Sequence, residues 1–372
     1  MAHTAVHRAA GRLRYHPLAS REDLDVHLVV PKCWHEFGRT LHADPADDPG
    51  VTLHILPVWF DRGGPFKWYL HLYPALSRLV KELAPDVVHL WEEPWSLVAL
   101  HASHLKRDAA LVLEVDQNLF KRLPPPFEWI RHHVLARTDH VLSRSTDATA
   151  VARASGYAGP VTEIGYGVDT ATFHPQAAVT GLKGDVPKVG YVGRLVVEKG
   201  LDDLLDAVAR SSARIEVALM GEGPHGPALR RRVAELGLAD RVDFRPWGTP
   251  TSVADFMRGL DALVLLTRTT NDVKEQFGRV IIEAQACGVP VIGSTCGAIP
   301  LVVGSGGWIV PESDPDALAR RLEAIAADPS TLATTSTAAL ANVADRFTQQ
   351  VVARTLTSAW EDAADRRRRI PR

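Results

Sequence analysis

The chain has 372 residues, 46% of them hydrophobic, and at roughly 150 residues per domain this is material for two to three packed domains, which excludes a disordered chain. With 42 Lys+Arg against 44 Asp+Glu the formal net charge is −2, so no global field draws it to nucleic acid or an anionic membrane. Cys33, Cys287 and Cys296 show no C-x-x-C spacing, which argues against a disulfide framework or structural zinc, and no apolar run reaches the ~18 residues of a membrane span or resembles a signal peptide. A cytoplasmic protein is expected, with at most peripheral contact at the inner membrane face.

Residues 1–21 carry Arg8, Arg12, Arg14 and Arg21 and three histidines without an acid, and they read as a basic helix face rather than a strand. A doubly wound sheet normally opens with a central strand, so either MAHTAV is its remnant or the start lies upstream. Strands are then expected near 25–30, 51–56, 86–90, 111–115, 140–143 and 161–164, with helices near 67–83, 96–107, 127–137 and 146–155. Short β-branched runs alternating with helical periods indicate parallel sheets covered on both faces.

GYGVDTATFHP, running from Gly165 to Pro175, reads as a linker. Beyond it strands are expected near 188–192, 214–219, 241–245, 261–266, 290–293 and 307–310, with helices near 200–210, 225–237, 251–259, 278–287 and 314–327. Two further helices, near 331–344 and 347–367, finish the chain, and the RRRR run at 366–369 reads as a solvated tail. The expected division is a first domain over 1–170, a second over 171–350, and a C-terminal helix with a basic tail over 351–372.

Two stretches carry chemistry. In VGYVGRLVVEKGLDDLLDAVA at 189–209, Gly193 ends a strand, and Arg194 and Lys199 flank the turn into a helix. Two cations at the carboxyl edge of a parallel sheet suit a diphosphate. In EQFGRVIIEAQACGVPVIG at 275–293, Glu275 stands just before a helix that starts near Phe277 or Gly278, and Glu283 falls on its second turn. Eight steps of about 1.5 Å set the two acids on the order of 12 Å apart, about the span from a sugar to a ribose across a diphosphate. The helix N-terminus between them favours phosphate, and Gly278 allows close backbone approach.

Together these stretches resemble the retaining glycosyltransferases of family 4. LMGEGP at 219–224, FRPWG at 244–248 and GAIPLVVGSGGWIVP at 297–311 extend the likeness over nearly the whole chain. The resemblance implies an α/β GT-B fold: two Rossmann-like doubly wound parallel-sheet domains facing across a cleft, with a C-terminal helix that can cross back to the first. It implies that Arg194 and Lys199 bind the donor diphosphate, that Glu275 contacts the sugar beside the reacting carbon, and that Glu283 holds the ribose. Gly193, Gly221, Gly223, Gln276, Phe277 and Gly278 join the donor site. The implied partners are a nucleotide-sugar donor and a saccharide, lipid-linked or small-molecule acceptor, with no cofactor, no metal and no nucleic acid.

The first domain is expected to bind the acceptor through WEEPWS at 91–96 and EVDQNLFKRLPPP at 114–126. Glu92, Glu93, Asp116 and Gln117 are its candidates. Many relatives carry a histidine in the second loop; here Asp116, Gln117 and Asn118 stand there, and the usual glycine-rich loop after the first strand is absent. Trp91, Trp95, Phe120, Phe127 and Trp129 read as core aromatics, with stacking on a sugar or touching lipid as the alternative.

Competing signals are weaker. GEGPHG at 221–226 matches a dinucleotide fingerprint formally, but Pro224 intrudes and it does not follow the first strand of a domain. His101 with His104, and His132 with His133, lack the acid and third ligand of a metal site. Asp314 reads as a helix cap rather than half of a metal-binding pair with Asp316. A nucleotide-sugar epimerase, a sugar phosphorylase or a non-catalytic binding subunit remain alternatives on the same fold.

Overall fold

The computed structural model describes residues 9–36, 39–62 and 66–369; the MAHTAV segment lies outside them. The chain forms two compact units, Met1–Gly167 with Gln349–Arg372, and Val168–Thr348.

Unit 1 opens with a helical turn, α1 (Ala9–Arg12), and a 3-10 stretch, Leu13–Ser20. It continues through β1 (His27–Pro31), β2 (Cys33–Glu36), β3 (Arg39–His42), β4 (Thr52–Leu56), α2 (Lys67–Leu70), α3 (Leu76–Leu83) and β5 (Val87–Trp91). After these come α4 (Leu97–Leu105), β6 (Ala110–Val115), α5 (Phe127–Arg137), β7 (His140–Ser143), α6 (Thr146–Ala154) and β8 (Val161–Glu163). β1 pairs in parallel with β4, and β5, β6, β7 and β8 form a parallel sheet in that order. All six residues of β6, ALVLEV, are buried, as a strand covered on both faces requires.

Among the described residues no strand joins β1 to β5, where an opening central strand would run. Tyr15 and Leu18 of the 3-10 stretch instead pack with Leu28, Val30 and Trp91. Of the arginines expected on a basic face, Arg8 lies outside the described residues and Arg21 pairs at the surface with Asp23 and Glu361, but two do otherwise. Arg12 is fully buried, its Nε 2.7 Å from Asp48 Oδ2, and Arg14 donates to both oxygens of buried Glu114 at 2.8 and 3.1 Å. Charges that leave water need such partners, so the segment is docked by its ion pairs.

Unit 2 comprises β9 (Lys188–Val192), α7 (Leu201–Arg210), β10 (Glu216–Met220), α8 (Gly226–Glu235), β11 (Val242–Arg245), α9 (Pro250–Arg258) and β12 (Ala262–Leu265). It is completed by α10 (Arg279–Ala286), β13 (Val291–Ser294), α11 (Ile299–Val303), β14 (Gly307–Val310), α12 (Pro315–Ala327) and α13 (Ser330–Arg346). Its six strands are all parallel in the order β11-β10-β9-β12-β13-β14. Chain progression reverses between β9 and β12, and the carboxyl ends of those two strands are where such sheets bind ligands.

The last helix, α14 (Gln349–Arg369), belongs to unit 1. Val352, Ala353, Leu356, Ala359 and Ala363 enter the cluster that holds Tyr15, Leu28 and Val112. The arginine run is not a free tail: it forms the last turn of α14, and Arg366 Nη2 lies 2.7 Å from His140 Nδ1.

Candidate active site

In unit 2 the site grows from the ends of β9 and β12. Gly193 leaves β9, and Arg194 follows with an exposed side chain while its carbonyl accepts a 2.9 Å hydrogen bond from the Tyr191 hydroxyl. A 3-10 turn over Val197–Lys199 then leads through left-handed Gly200 into α7. This puts Lys199 Nζ 2.6 Å from Glu275 Oε2 and 3.2 Å from Thr267 Oγ1. Thr267, fully buried just past β12, donates its own hydroxyl to that same Oε2 at 2.8 Å.

The backbone of Glu275 is held as firmly. Its N–H points at Cys296 Sγ, 3.4 Å away, and its carbonyl accepts from the Ala298 N–H at 3.0 Å. Gly297 between them has φ +55, and a Cβ there would lie 2.2 Å from the Glu275 carbonyl oxygen. Only glycine lets the two chain segments come this close.

α10 starts at Arg279 with Gly278 as its N-cap. Phe277 is buried edge-on to Phe347, ring centres 5.6 Å apart, and Gln276 is exposed. Glu283 sits on the second turn of α10, where burial raises its pKa against the opposing pull of Arg279, whose Nη2 is 3.9 Å away. Gly221 and Gly223 serve loop packing: added Cβ atoms would meet the Gly193 and Leu195 carbonyl oxygens at 1.9 and 2.2 Å. Gly221 and Gly223 of the dinucleotide look-alike thus let the loop after β10 pack closely against the loop after β9.

In unit 1 the loops after β5 and β6 interlock. Glu92 Oε2 lies 3.1 Å from His71 Nε2, and His71 Nδ1 donates to the Lys67 carbonyl at 3.0 Å. Burial opposes charge on His71, but Glu92 and the carbonyl outweigh it and raise its pKa. Glu93 Oε1 accepts the backbone N–H groups of Asp116 and Gln117 at 2.9 and 2.8 Å. Burial first, then the neighbouring Asp116, pushes the Glu93 pKa up to about 8. Asp116 spends one oxygen on Arg144 Nε at 2.7 Å and the other on Trp91 Nε1 at 3.1 Å, and the Gln117 amide donates to the Leu119 carbonyl at 2.8 Å.

Of the aromatics, Trp91 is core as expected. Phe120 and Trp129 are not, being 48% and 60% exposed. His104 and His133 stack on each other and His133 on Trp129, with centroids 4.9 and 5.0 Å apart. Asp314 caps α12 by accepting the Ala317 N–H at 2.8 Å. Among the described residues no three His, Cys, Asp or Glu side chains are grouped to hold a metal ion, and no helix is long and apolar enough to cross a membrane.

Known proteins carry the same two-part layout. Residues 18–172 match the family model described as Glycosyltransferase Family 4, and residues 186–328 the one described as Glycosyl transferases group 1. A D-inositol 3-phosphate glycosyltransferase of Streptomyces bingchenggensis is 30% identical over 363 residues, covering 88% of this chain and 76% of that protein. The chain is a family 4 glycosyltransferase. The lipopolysaccharide core biosynthesis mannosyltransferase LpsB of Rhizobium meliloti is also 30% identical, over 74% of this chain and 83% of its own length. Among solved structures, sucrose-phosphate synthase from Thermosynechococcus elongatus aligns with TM-score 0.69 at 23% identity, covering 94% of this chain and 91% of that one. HepE from Anabaena in complex with UDP and glucose aligns with TM-score 0.63 at 20% identity, covering 84% and 86%. Both likenesses establish the GT-B fold.

Within this glycosyltransferase the structure joins Lys199 to Glu275 directly, whereas the sequence assigned them to different parts of a donor. Thr267, Cys296 and Gly297, which fix Glu275, and Arg144, which fixes Asp116, were missed. Thr267 had a signal in its place just past an expected strand, where α/β proteins put ligand-binding loops.

Proposed function

We propose that this family 4 glycosyltransferase moves a sugar from a nucleotide-diphosphate donor to an acceptor hydroxyl with retention of configuration and without a metal. Arg194 and Lys199 bind the diphosphate, Glu275 the sugar and Glu283 the ribose; Gly193, Gln276, Phe277 and Gly278 shape the donor site. The observation that carries this reading is the Lys199–Glu275 contact at 2.6 Å at the reversal point of a parallel sheet. Breaking a glycosyl-phosphate bond builds negative charge on the diphosphate, and cations fixed beside it lower the barrier.

Glu275 Oε2 already accepts from an ammonium and a hydroxyl. The Thr267 hydroxyl spends a lone pair of that oxygen whether or not a donor is bound, which favours same-face attack within an ion pair over a covalent glycosyl-enzyme. In that scheme a diphosphate oxygen takes the proton of the acceptor hydroxyl. Unit 1 supplies the acceptor side, for a saccharide, lipid-linked or small-molecule acceptor in the cytoplasm. Glu93 is the strongest candidate, because its Oε1 is anchored while both oxygens of Asp116 are engaged.

The test is a thermal-shift screen with UDP, GDP and ADP, followed by nucleotide release from the matching sugar donors with and without acceptors. Arg194→Ala and Lys199→Ala should each abolish the nucleotide-dependent shift, and acceptor-dependent release should mark transfer. An undiminished shift in both variants would remove the donor-site assignment.

A further inference from the structure

We propose that Glu275 competes with the donor diphosphate for Lys199, and that Thr267 is the positioning residue that keeps Glu275 in place when Lys199 turns to phosphate. This rests on the reading of Lys199 as a diphosphate ligand.

The Lys199 ammonium has three N–H donors on a flexible four-carbon stem, and it directs them to Glu275 at 2.6 Å and Thr267 at 3.2 Å. A diphosphate carries more charge than one carboxylate and draws the ammonium toward itself. Glu275, its side chain only 15% exposed, would then give up an ammonium in a place where water replaces it poorly, which weakens the hold on a partly buried carboxylate.

Thr267 offsets that loss. A hydroxyl has one hydrogen and two lone pairs; here the hydrogen goes to Glu275 Oε2 and a lone pair faces Lys199. When the ammonium moves, the hydroxyl keeps its bond to the carboxylate. Thr267 is itself fixed, with its carbonyl accepting from buried Ser294 Oγ at 2.6 Å. With Cys296 and Ala298 holding the Glu275 backbone, the carboxylate keeps its orientation while its cation is redeployed.

Two variants separate the parts of the proposal. Glu275→Gln removes the competing charge, so calorimetric titration with UDP, GDP or ADP lacking a sugar should show roughly three- to tenfold tighter binding than wild type, while turnover of the sugar donor collapses. Thr267→Val keeps the shape and deletes the hydroxyl, so kcat should fall about tenfold or more with donor KM changed less than about threefold, and Thr267→Ser should restore kcat. Equal or weaker nucleotide binding by Glu275→Gln overturns the competition while leaving the donor-site reading standing. Thr267→Ser as impaired as Thr267→Val assigns the residue to packing and overturns the positioning role. A wild-type protein that binds none of the three nucleotides overturns the donor-site reading and this proposal together.

Discussion

Glu93 and Glu275 are both carboxyls near strand ends, and their neighbours give them opposite characters. Glu275 has an ammonium at 2.6 Å; Glu93 Oε1 accepts two backbone N–H groups, and burial, with the charges of Asp116 and Glu92, gives it a pKa of about 8. Unfolded, Glu93 ionises near 4.5. Between those values the native state holds a proton that the unfolded chain has lost, so stability falls as pH rises through that window. Glu93→Gln keeps an oxygen for both N–H groups and cannot ionise. Urea unfolding should therefore find the variant more stable than wild type at pH 8, by a few kcal/mol at about 1.4 kcal/mol per pKa unit, and no more stable at pH 4. Equal slopes between pH 5 and 8 would refute the buried neutral acid. Gly297→Ala acts at the same scale: its Cβ would meet the Glu275 carbonyl at 2.2 Å in a left-handed backbone, and the expected cost is about 1–3 kcal/mol of stability with at least about a tenfold loss of kcat. The sequence led to the expectation of one donor site for Lys199 and Glu275 because each lies in a recognisable motif. It could not show Thr267 or Gly297, whose contribution is a distance to residues 8 and 22 positions away that only the adjacency of strand ends creates.

At the scale of elements, legibility followed the strength of the periodic signal. The strands after the first linker and most of those before it lie within one or two residues of expectation because each is a short apolar run bounded by turn residues. The β2–β3 hairpin, built from CWHE and RTLH, was missed because neither segment alternates apolar and polar residues clearly. α11, five residues long, is too short to show a period. The single helix expected over 67–83 is two, α2 and α3, with Pro74 between them, where a proline ring forbids the continuing helical bond. The N-terminal segment was the least legible, since four arginines look alike whether solvated or buried. Arg14 is the decisive one: it reaches from the 3-10 stretch to Glu114 of β6, and Arg144 comes to the same carboxylate from the end of β7. Arg14→Ala removes two charge-assisted hydrogen bonds from a buried carboxylate that keeps Arg144, and it leaves a void where the buried side chain lay, so it should cost on the order of 3 kcal/mol in denaturant unfolding. Arg21→Ala, whose partners Asp23 and Glu361 are mostly exposed, should cost under about 1 kcal/mol.

At the scale of the whole molecule, the two units are not equal in their need for the chain's end. Unit 1 uses residues from both termini: α14 supplies Val352, Leu356 and Ala359 to the core that holds Tyr15, Leu28 and Trp91. Unit 2 closes on itself. The Val168 N–H donates to the Phe347 carbonyl at 2.8 Å and Val168 bridges Thr348, so its two ends meet, and all six strands of its sheet lie between them. The residues assigned to the donor, Gly193, Arg194, Lys199, Gly221, Gly223, Glu275, Gln276, Phe277, Gly278 and Glu283, fall inside it as well. A fragment of residues 168–348 should therefore fold alone, unfold in one cooperative transition and bind the nucleoside diphosphate selected by the intact protein, while transferring no sugar. The chain ended at residue 348 should instead lose cooperative unfolding of unit 1, because the apolar surface left by α14 has no other cover. Circular dichroism melts and calorimetric titration of both pieces decide the matter: an unfolded 168–348 fragment, or a truncated chain with an unchanged unit 1 transition, would contradict this division of the molecule.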